Sequence, residues 1–317
     1  MKIVNPFGKS PMKNAPSCRL CDARPDQQSI KSSFVFGGQP EHKFWECANC
    51  GLVHLFPIPS VEDEARFYRL EFEKFMLSRS GKDRDWTGPK AHIASNQPEA
   101  DRRILYLRDH ISTGAEVLDV GCSSGFMMEA ISSFGAKCWG IEPSAVFKPY
   151  LVDQGKFPVF DSLEALSEEH PEQKFDVVVH FFVLEHIRDP VDFLMKQLDL
   201  LRPGGKIIAE IPCVNDPLVT LYPTKSFDKF YWSVAHHYYY SPQSLEYHLG
   251  NLGHKLELFP DQRYDLGNHT QWMLEGRPGG QGRLDEVFSD EFKRRYAQSL
   301  KEAWLCDTVI AVISKST

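Results

Sequence analysis

The sequence predicts an α/β chain: a mostly parallel, Rossmann-like sheet with helices on both faces, preceded by a small four-cysteine zinc ribbon. From about residue 98 onward, short apolar runs alternate with helical stretches, and ahead of them stand two CxxC pairs. Length and composition agree. A chain of 317 residues, 42% apolar and 25% charged, suits one medium globular domain plus a small one.

Residues 1–17 are rich in Pro, Lys and Asn and read as a flexible lead-in. Residues 18–60 form the ribbon, with β-like runs at 33–36 and 51–55, and Pro57 and Pro59 punctuate its exit. Residues 61–76 read as a helix and 78–97 as a polar loop, so 61–97 is a helical linker. The main domain, 98–317, opens with a helix to His110. Strands are expected at 116–120, 137–141, 157–160, 175–182 and 205–211, separated by helices at 125–134, 145–154, 162–169 and 190–201. Continuous apolar strands separated by helices imply βαβ units and a sheet buried on both faces. An aromatic-rich excursion spans about 212–241. A helix at 242–250 and a strand at 254–259 follow it. An irregular, lid-like excursion at about 262–284 precedes the last strand at 307–314.

Cys18 and Cys21, then Cys47 and Cys50, supply four thiols at knuckle spacing with 25 residues between the pairs. Each CxxC turn aims two sulfurs at one point, and two such turns close a tetrahedral site of the structural-zinc kind. With no open position, the metal contributes folding energy to a segment with little core of its own. Net charge is −7, which argues against a nucleic-acid partner. No apolar run is long enough to span a bilayer and no secretory h-region opens the chain, so a cytoplasmic protein without membrane contact is expected.

The stretch Glu116 to Gly125 (EVLDVGCSSG) reads as strand, glycine turn and helix. It places backbone N–H groups and a helix N-terminus at the carboxyl edge of the sheet, where open α/β sheets bind ligands. The second strand ends at Glu142, 23 residues after Asp119, and the third at Asp161-Ser162. A carboxylate for ribose and another for adenine suit an adenosine without phosphate. A dinucleotide site would want G-x-G-x-x-G, whereas this turn reads G-x-x-x-G.

VLDVGCSSG, IEPS, FDVVVHFFVLEHIRDP and LRPGGKIIAEIP, in that order, resemble the successive motifs of class I S-adenosylmethionine-dependent methyltransferases, particularly the small-molecule group of the ubiquinone pathway. The resemblance implies a seven-stranded sheet and S-adenosylmethionine as cofactor. Gly121, Ser123 and Gly125 would surround its methionine moiety, Glu142 its ribose and Asp161 its adenine. His180 and Phe181 would line it, with Asp119, Cys122 and Ser162 in the same turns. The family often has glycine where Ser123 stands. The ribbon and the following CANCGLVHLFPIPS resemble the leader of bacterial methyltransferases encoded for sugar or polysaccharide modification, which implies a sugar or nucleotide-linked sugar as acceptor, methylated on oxygen or carbon.

A hydroxyl or acidic-carbon acceptor needs a base, and histidine suits that role near neutrality. Glu185 and His186 directly follow the fourth strand, and in quinone-pathway relatives this pair can meet a divalent metal. His237, with His236 and Tyr239, precedes a Ser-Pro helix start after the fifth strand. His237 is a second candidate base, and His236 and Tyr239 are candidate substrate contacts. Asn268 and His269 in the lid-like excursion are further substrate candidates. Two other readings compete: an RNA methyltransferase using the ribbon, against which the ribbon's balanced charges speak, and a non-catalytic binding module, against which the retained Glu142 and Asp161 speak.

Overall fold

A computed structural model describes residues 15–80, 86 and 88–316. Residues 1–14 of the expected lead-in lie outside the described residues. The ribbon is an antiparallel sheet of β1 (Gln28–Ser32), β2 (Lys43–Cys47) and β3 (Val53–Phe56). The strand expected at 33–36 is displaced. The Ser32 hydroxyl donates to Phe34 O at 2.9 Å and turns the chain out of β1, leaving Phe36 a single bridge to Ser233.

Helix α1 (Val61–Leu70) starts at Ser60, whose hydroxyl accepts the Asp63 N–H at 3.0 Å. The single helix expected over 61–76 breaks at Glu71, and α2 (Phe72–Ser80) continues from there. The break brings Phe67 edge-on to both Phe72 and Phe75. Helix α3 (Pro89–Leu107) replaces much of the expected loop and runs through the boundary drawn at residue 98. Its buried stripe is His92, Asn96, Ala100, Arg103 and Leu107, at helical spacing but largely polar. An apolar periodicity search cannot see such a stripe.

The main sheet then builds in order: β4 (Glu116–Val120), α4 (Phe126–Ser132), β5 (Lys137–Ile141), α5 (Phe147–Gln154), β6 (Val159–Phe160), α6 (Leu163–Glu169), β7 (Phe175–Phe181), α7 (Pro190–Leu200) and β8 (Leu201–Pro212). The first excursion carries α8 (Pro217–Thr220), α9 (Lys225–Tyr231) and β9 (Tyr238–Tyr239), and α10 (Pro242–Leu249) and β10 (Lys255–Asp261) follow. The second excursion is largely helical, with α11 (Leu266–Glu275) and α12 (Asp290–Glu302), before β11 (Thr308–Ser314). The seven strands lie in the order β10-β11-β8-β7-β4-β5-β6. Strands β8 to β6 are parallel, and β11 runs antiparallel to both of its neighbours.

Side chains alternate across a strand, so each face has its own core. Val117, Val177, Val179 and Ile208 pack under α3 and α4, whereas Leu118, Val178, Ile207 and Ile211 pack with Leu194 and Leu198 of α7. The ribbon is joined to this body rather than appended to it. β9 supplies its fourth strand, pairing Tyr239 with Val53 and Tyr238 with His54. No helix among the described residues is long and apolar enough to cross a membrane.

Candidate active site and metal centre

Asp119 ends β4 in register with Gly140 of β5 and Val179 of β7. Glu142 lies two residues beyond Gly140, so both carboxylates share one face at the carboxyl edge, and each is buried. Glu142 accepts the Ser123 N–H at 2.6 Å and the Ser144 N–H at 2.8 Å. Neither Asp119 oxygen has a hydrogen-bond partner among the described residues. Burial pushes Asp119 up to about 7, against the pull of Arg103, and burial also pushes Glu142 up to about 7. The turn between them needs its glycines. Gly121 and Gly125 have φ of 77° and 81°, and a Cβ on either would stand 2.7 Å from Val183 or Leu151. Cys122 is buried in this turn, its N–H donating to Ile141 O. Ser123 adopts φ 46°, a left-handed conformation that glycine would take without strain, which accounts for the family's usual residue there.

Asp161, Ser162 and His180 each have contacts of their own within the protein. Asp161 follows β6 next to Glu142, but its side chain is 67% exposed and pairs with Lys148 at 2.5 Å. Ser162 caps α6, its hydroxyl accepting the Ala165 N–H. His180 neighbours Val179 and therefore points to the opposite face, against Phe193 of α7. Burial there drives its pKa to about 3. Phe181 does share the face of Asp119, under the Arg103 guanidinium at 4.4 Å. Phe182, also bulky, holds a left-handed φ of 56° beneath the Arg263 guanidinium, an outlier of the kind that gathers at functional sites.

A second buried polar cluster lies past β7. Glu185, His186 and His236 bring one ligand atom each within 4.8 Å of one another. Glu185 is almost wholly buried, its Oε2 lacks a partner, and burial raises its pKa to about 8. Burial also lowers His186 to about 4, and lowers His236, whose Nδ1 is unpartnered, well below the usual range. Such a set suits proton transfer or a divalent cation. The walls come from the leader: Tyr68 and Phe72 stack edge-on against His186, and Trp86 lies against Phe72 and His92. Sequence reasoning missed these residues, along with Arg79, Arg103 and Arg263. The one available signal was the run of aromatics on a helix otherwise charged.

His237 has both ring nitrogens engaged. Nε2 donates to Glu64 at 3.0 Å and Nδ1 accepts from Arg19 at 3.0 Å, so the residue ties α1 to the cysteine knuckle. Tyr239 is buried in β9. Its hydroxyl donates to Tyr231 O and accepts the Ser233 N–H, and its ring packs on Phe44 and Trp232. Asn268 donates to Gly279 O within the second excursion, and His269 is bonded to Tyr296 of α12 at 2.6 Å. The structure therefore brings Glu185, His186 and His236 together but commits His237, Tyr239 and His269 to packing contacts. A groove of about 400 Å³ lined by His110, Asp176 and Lys206 lies at the amino-terminal edge of the sheet, away from this chemistry.

The four knuckle sulfurs also converge. Cys18 and Cys50 Sγ are 3.8 Å apart, Cys21 and Cys47 Sγ 3.7 Å, and all four lie within 4.8 Å. A tetrahedral zinc with Zn–S bonds of roughly 2.3 Å requires sulfurs about 3.8 Å apart, so the set fits. Gln28 and Asn49 side-chain N–H groups reach Cys47 and Cys21 sulfurs at 3.5 Å, as partners of thiolates do.

Residues 92–257, just over half of the chain, match a methyltransferase domain family. Ubiquinone biosynthesis O-methyltransferases are similar. That of Stutzerimonas stutzeri (strain A1501) is 35% identical over 112 residues, covering 33% of this chain and 48% of the relative. That of Bradyrhizobium sp. (strain ORS 278) is 27% identical over 139 residues, covering 39% and 55%. The chain thus spans about half the length of the curated relatives it matches. Among solved structures, a SAM-dependent methyltransferase from Archaeoglobus fulgidus is 19% identical with a TM-score of 0.45, covering 77% of this chain and 100% of that one. Magnesium protoporphyrin IX methyltransferase from Synechocystis PCC 6803, with bound SAH, is 14% identical with a TM-score of 0.48, covering 80% and 98%. The domain match over more than half of the chain shows that it belongs to the class I S-adenosylmethionine-dependent methyltransferases.

Proposed function

We propose that this chain moves a methyl group from S-adenosylmethionine to a hydroxyl of a small molecule, with His186 as the base. The observation that carries the reading is the adjacency of two unlike sites on one sheet edge. A buried acid pair stands at the carboxyl ends of β4 and β5, and Glu185 and His186 after β7, the other neighbour of β4, meet His236 from the excursion after β8 in a buried cluster. Burial of that cluster beneath α1 and α2, with the His186 side chain 13% exposed and Glu185 1%, supports a small acceptor over a folded RNA. The O-methyltransferase names of the relatives support oxygen as the target, and the resemblance of the leader supports a sugar or nucleotide-linked sugar.

Glu142 and the partnerless Asp119 would hold the ribose, and the turn from Gly121 to Gly125 the methionine moiety. Bound S-adenosylmethionine supplies a methyl carbon made electrophilic by its sulfonium. His186 Nε2 receives the acceptor's hydroxyl proton, and Glu185, 3.9 Å away, balances the charge that forms. The leader helices keep water from the reacting atoms. Zinc on Cys18, Cys21, Cys47 and Cys50 is structural in this reading.

Labelled methyl transfer to a panel of nucleotide-linked sugars and catechols tests the proposal, with His186→Ala and His237→Ala beside the parent. Loss of transfer in His186→Ala alone is expected. An absence of SAH binding by calorimetry would end the reading.

A further inference from the structure

Helix α1 lies ahead of the matched residues 92–257, yet it reaches the reacting end. Glu64 and Tyr68 are one turn apart and so share a helix face. Glu64 holds His237, and Tyr68 meets His186.

Three distances fix the hydrogens there. The Tyr68 hydroxyl is 2.7 Å from Ala235 O, His186 Nδ1 is 2.8 Å from the same carbonyl, and hydroxyl and Nδ1 are 3.1 Å apart. A carbonyl oxygen only accepts. A bare Nδ1 at 2.8 Å would set lone pair against lone pair, so Nδ1 carries the ring hydrogen. The Tyr68 O–H is directed to Ala235 O, which leaves its oxygen lone pairs facing Nδ1–H as a second acceptor. Nε2 of the neutral ring is then bare, the form a base requires. The Tyr68 ring already fills its space, edge-on against Phe67 and His186 and tilted against Phe72, so packing does not need the hydroxyl.

We propose that Tyr68 is a positioning residue for methyl transfer: its hydroxyl, with Ala235 O, locks His186 in the Nδ1–H tautomer and fixes the direction of the Nε2 lone pair. The inference rests on His186 being the base. It also assigns part of the catalytic architecture to the leader.

The test uses the full-length chain, labelled with 15N at histidine, free and saturated with SAH. Long-range proton–nitrogen spectra read the tautomer, and His186→Ala assigns the signal by its loss. The expected parent spectrum shows a hydrogen-bonded Nδ1–H and an unprotonated Nε2. In Tyr68→Phe, which removes one oxygen and keeps the ring, the Nδ1–H signal moves upfield. On any acceptor that the panel turns over, kcat falls 3- to 30-fold, while the cofactor KM and the SAH affinity stay within twofold. A purely structural tyrosine would change stability without this split. A parent proton on Nε2, or an unchanged Nδ1–H signal and kcat in Tyr68→Phe, overturns the inference. If Tyr68→Phe is unchanged while His186→Ala is dead, Tyr68 alone is misassigned. If His186→Ala keeps its rate, the base reading and the inference fall together.

Discussion

Replacing Asp119 with Asn should stabilise the ligand-free protein above neutral pH and weaken its hold on SAH. The carboxyl is wholly enclosed, its oxygens have no partner, and burial raises its pKa from 3.8 to about 7. A folded pKa above the unfolded value means that the native state holds a proton the unfolded chain has already lost. Stability therefore falls as pH rises, beginning near 4 and ending near 7. At roughly 1.4 kcal/mol per pH unit, the whole loss is about 4 kcal/mol, and about 3 kcal/mol of it accrues between pH 5 and pH 7. The Asn amide escapes that loss but keeps a buried group unsatisfied, at roughly 1–3 kcal/mol. The two effects leave the variant close to the parent or below it at pH 5 and about 1–3 kcal/mol more stable at pH 8. Urea denaturation of both proteins at the two pH values reads the difference. Calorimetry should show SAH bound about tenfold more weakly by the variant. A variant-minus-parent stability that is the same at pH 5 and pH 8 would refute the argument, because the penalty would then not be ionisation.

Other outcomes follow from the same geometry. Initial rates should rise with pH through about 8 as Glu185 ionises, since its pKa is raised and its charged form exists only above it; this limb should vanish in Glu185→Gln. His237→Ala should lower unfolding free energy by about 1–2 kcal/mol, by removing one partner each from Glu64 and Arg19, which keep Arg188 and Tyr238, while kcat falls little in the fraction that stays folded. Asp161→Asn should change SAH affinity less than twofold, because its pairing with Lys148 is largely exposed. Metal analysis should find one zinc per chain, and Cys50→Ser should lose it together with several degrees of melting temperature.

The sheet was legible because its strands are continuous apolar runs. Val177, Val178 and Val179 could belong to little else than a doubly covered parallel strand. The knuckles and the glycine turn were legible because cysteine pairs and the left-handed positions of Gly121 and Gly125 leave few substitutes. What escaped was burial of polar groups. His92, Asn96 and Arg103 fill the inner stripe of α3, so the helix looked like a loop. His180 has the composition of a site residue, but strand parity sends it under α7, and a one-residue shift in phase decides between the two faces. His237 sits beside a residue that faces the cluster, and nothing in adjacent letters tells which of two histidines a distant glutamate will claim. Tyr68 and Glu64 belong to a helix whose charged residues read as solvent-facing. Their roles depend on contacts more than 100 residues away in sequence.

The cysteine ribbon is joined by direct contacts to the sheet edge that carries Glu185 and His186. Arg19 stands between the first two cysteines, donates to His237 Nδ1, and lies over the Tyr238 ring at 4.7 Å. The His237 N–H donates to Glu185 O at 2.7 Å, and Arg188, two residues past His186, pairs with Glu64 at 2.6 Å. Arg19, held between Cys18 and Cys21, is one end of this chain of contacts, and the other end is the backbone that carries Glu185 and His186. Strand β9 adds a second tie, since its pairing to β3 holds Tyr238 and Tyr239, two and three residues after His236. A detached module would unfold without consequence for the sheet. Here the Arg19–His237–Glu64 contacts join the cysteine ribbon to the helix that bears Tyr68, and the β3–β9 pairing joins it to the strand that bears Tyr238, so unfolding of the ribbon should loosen both.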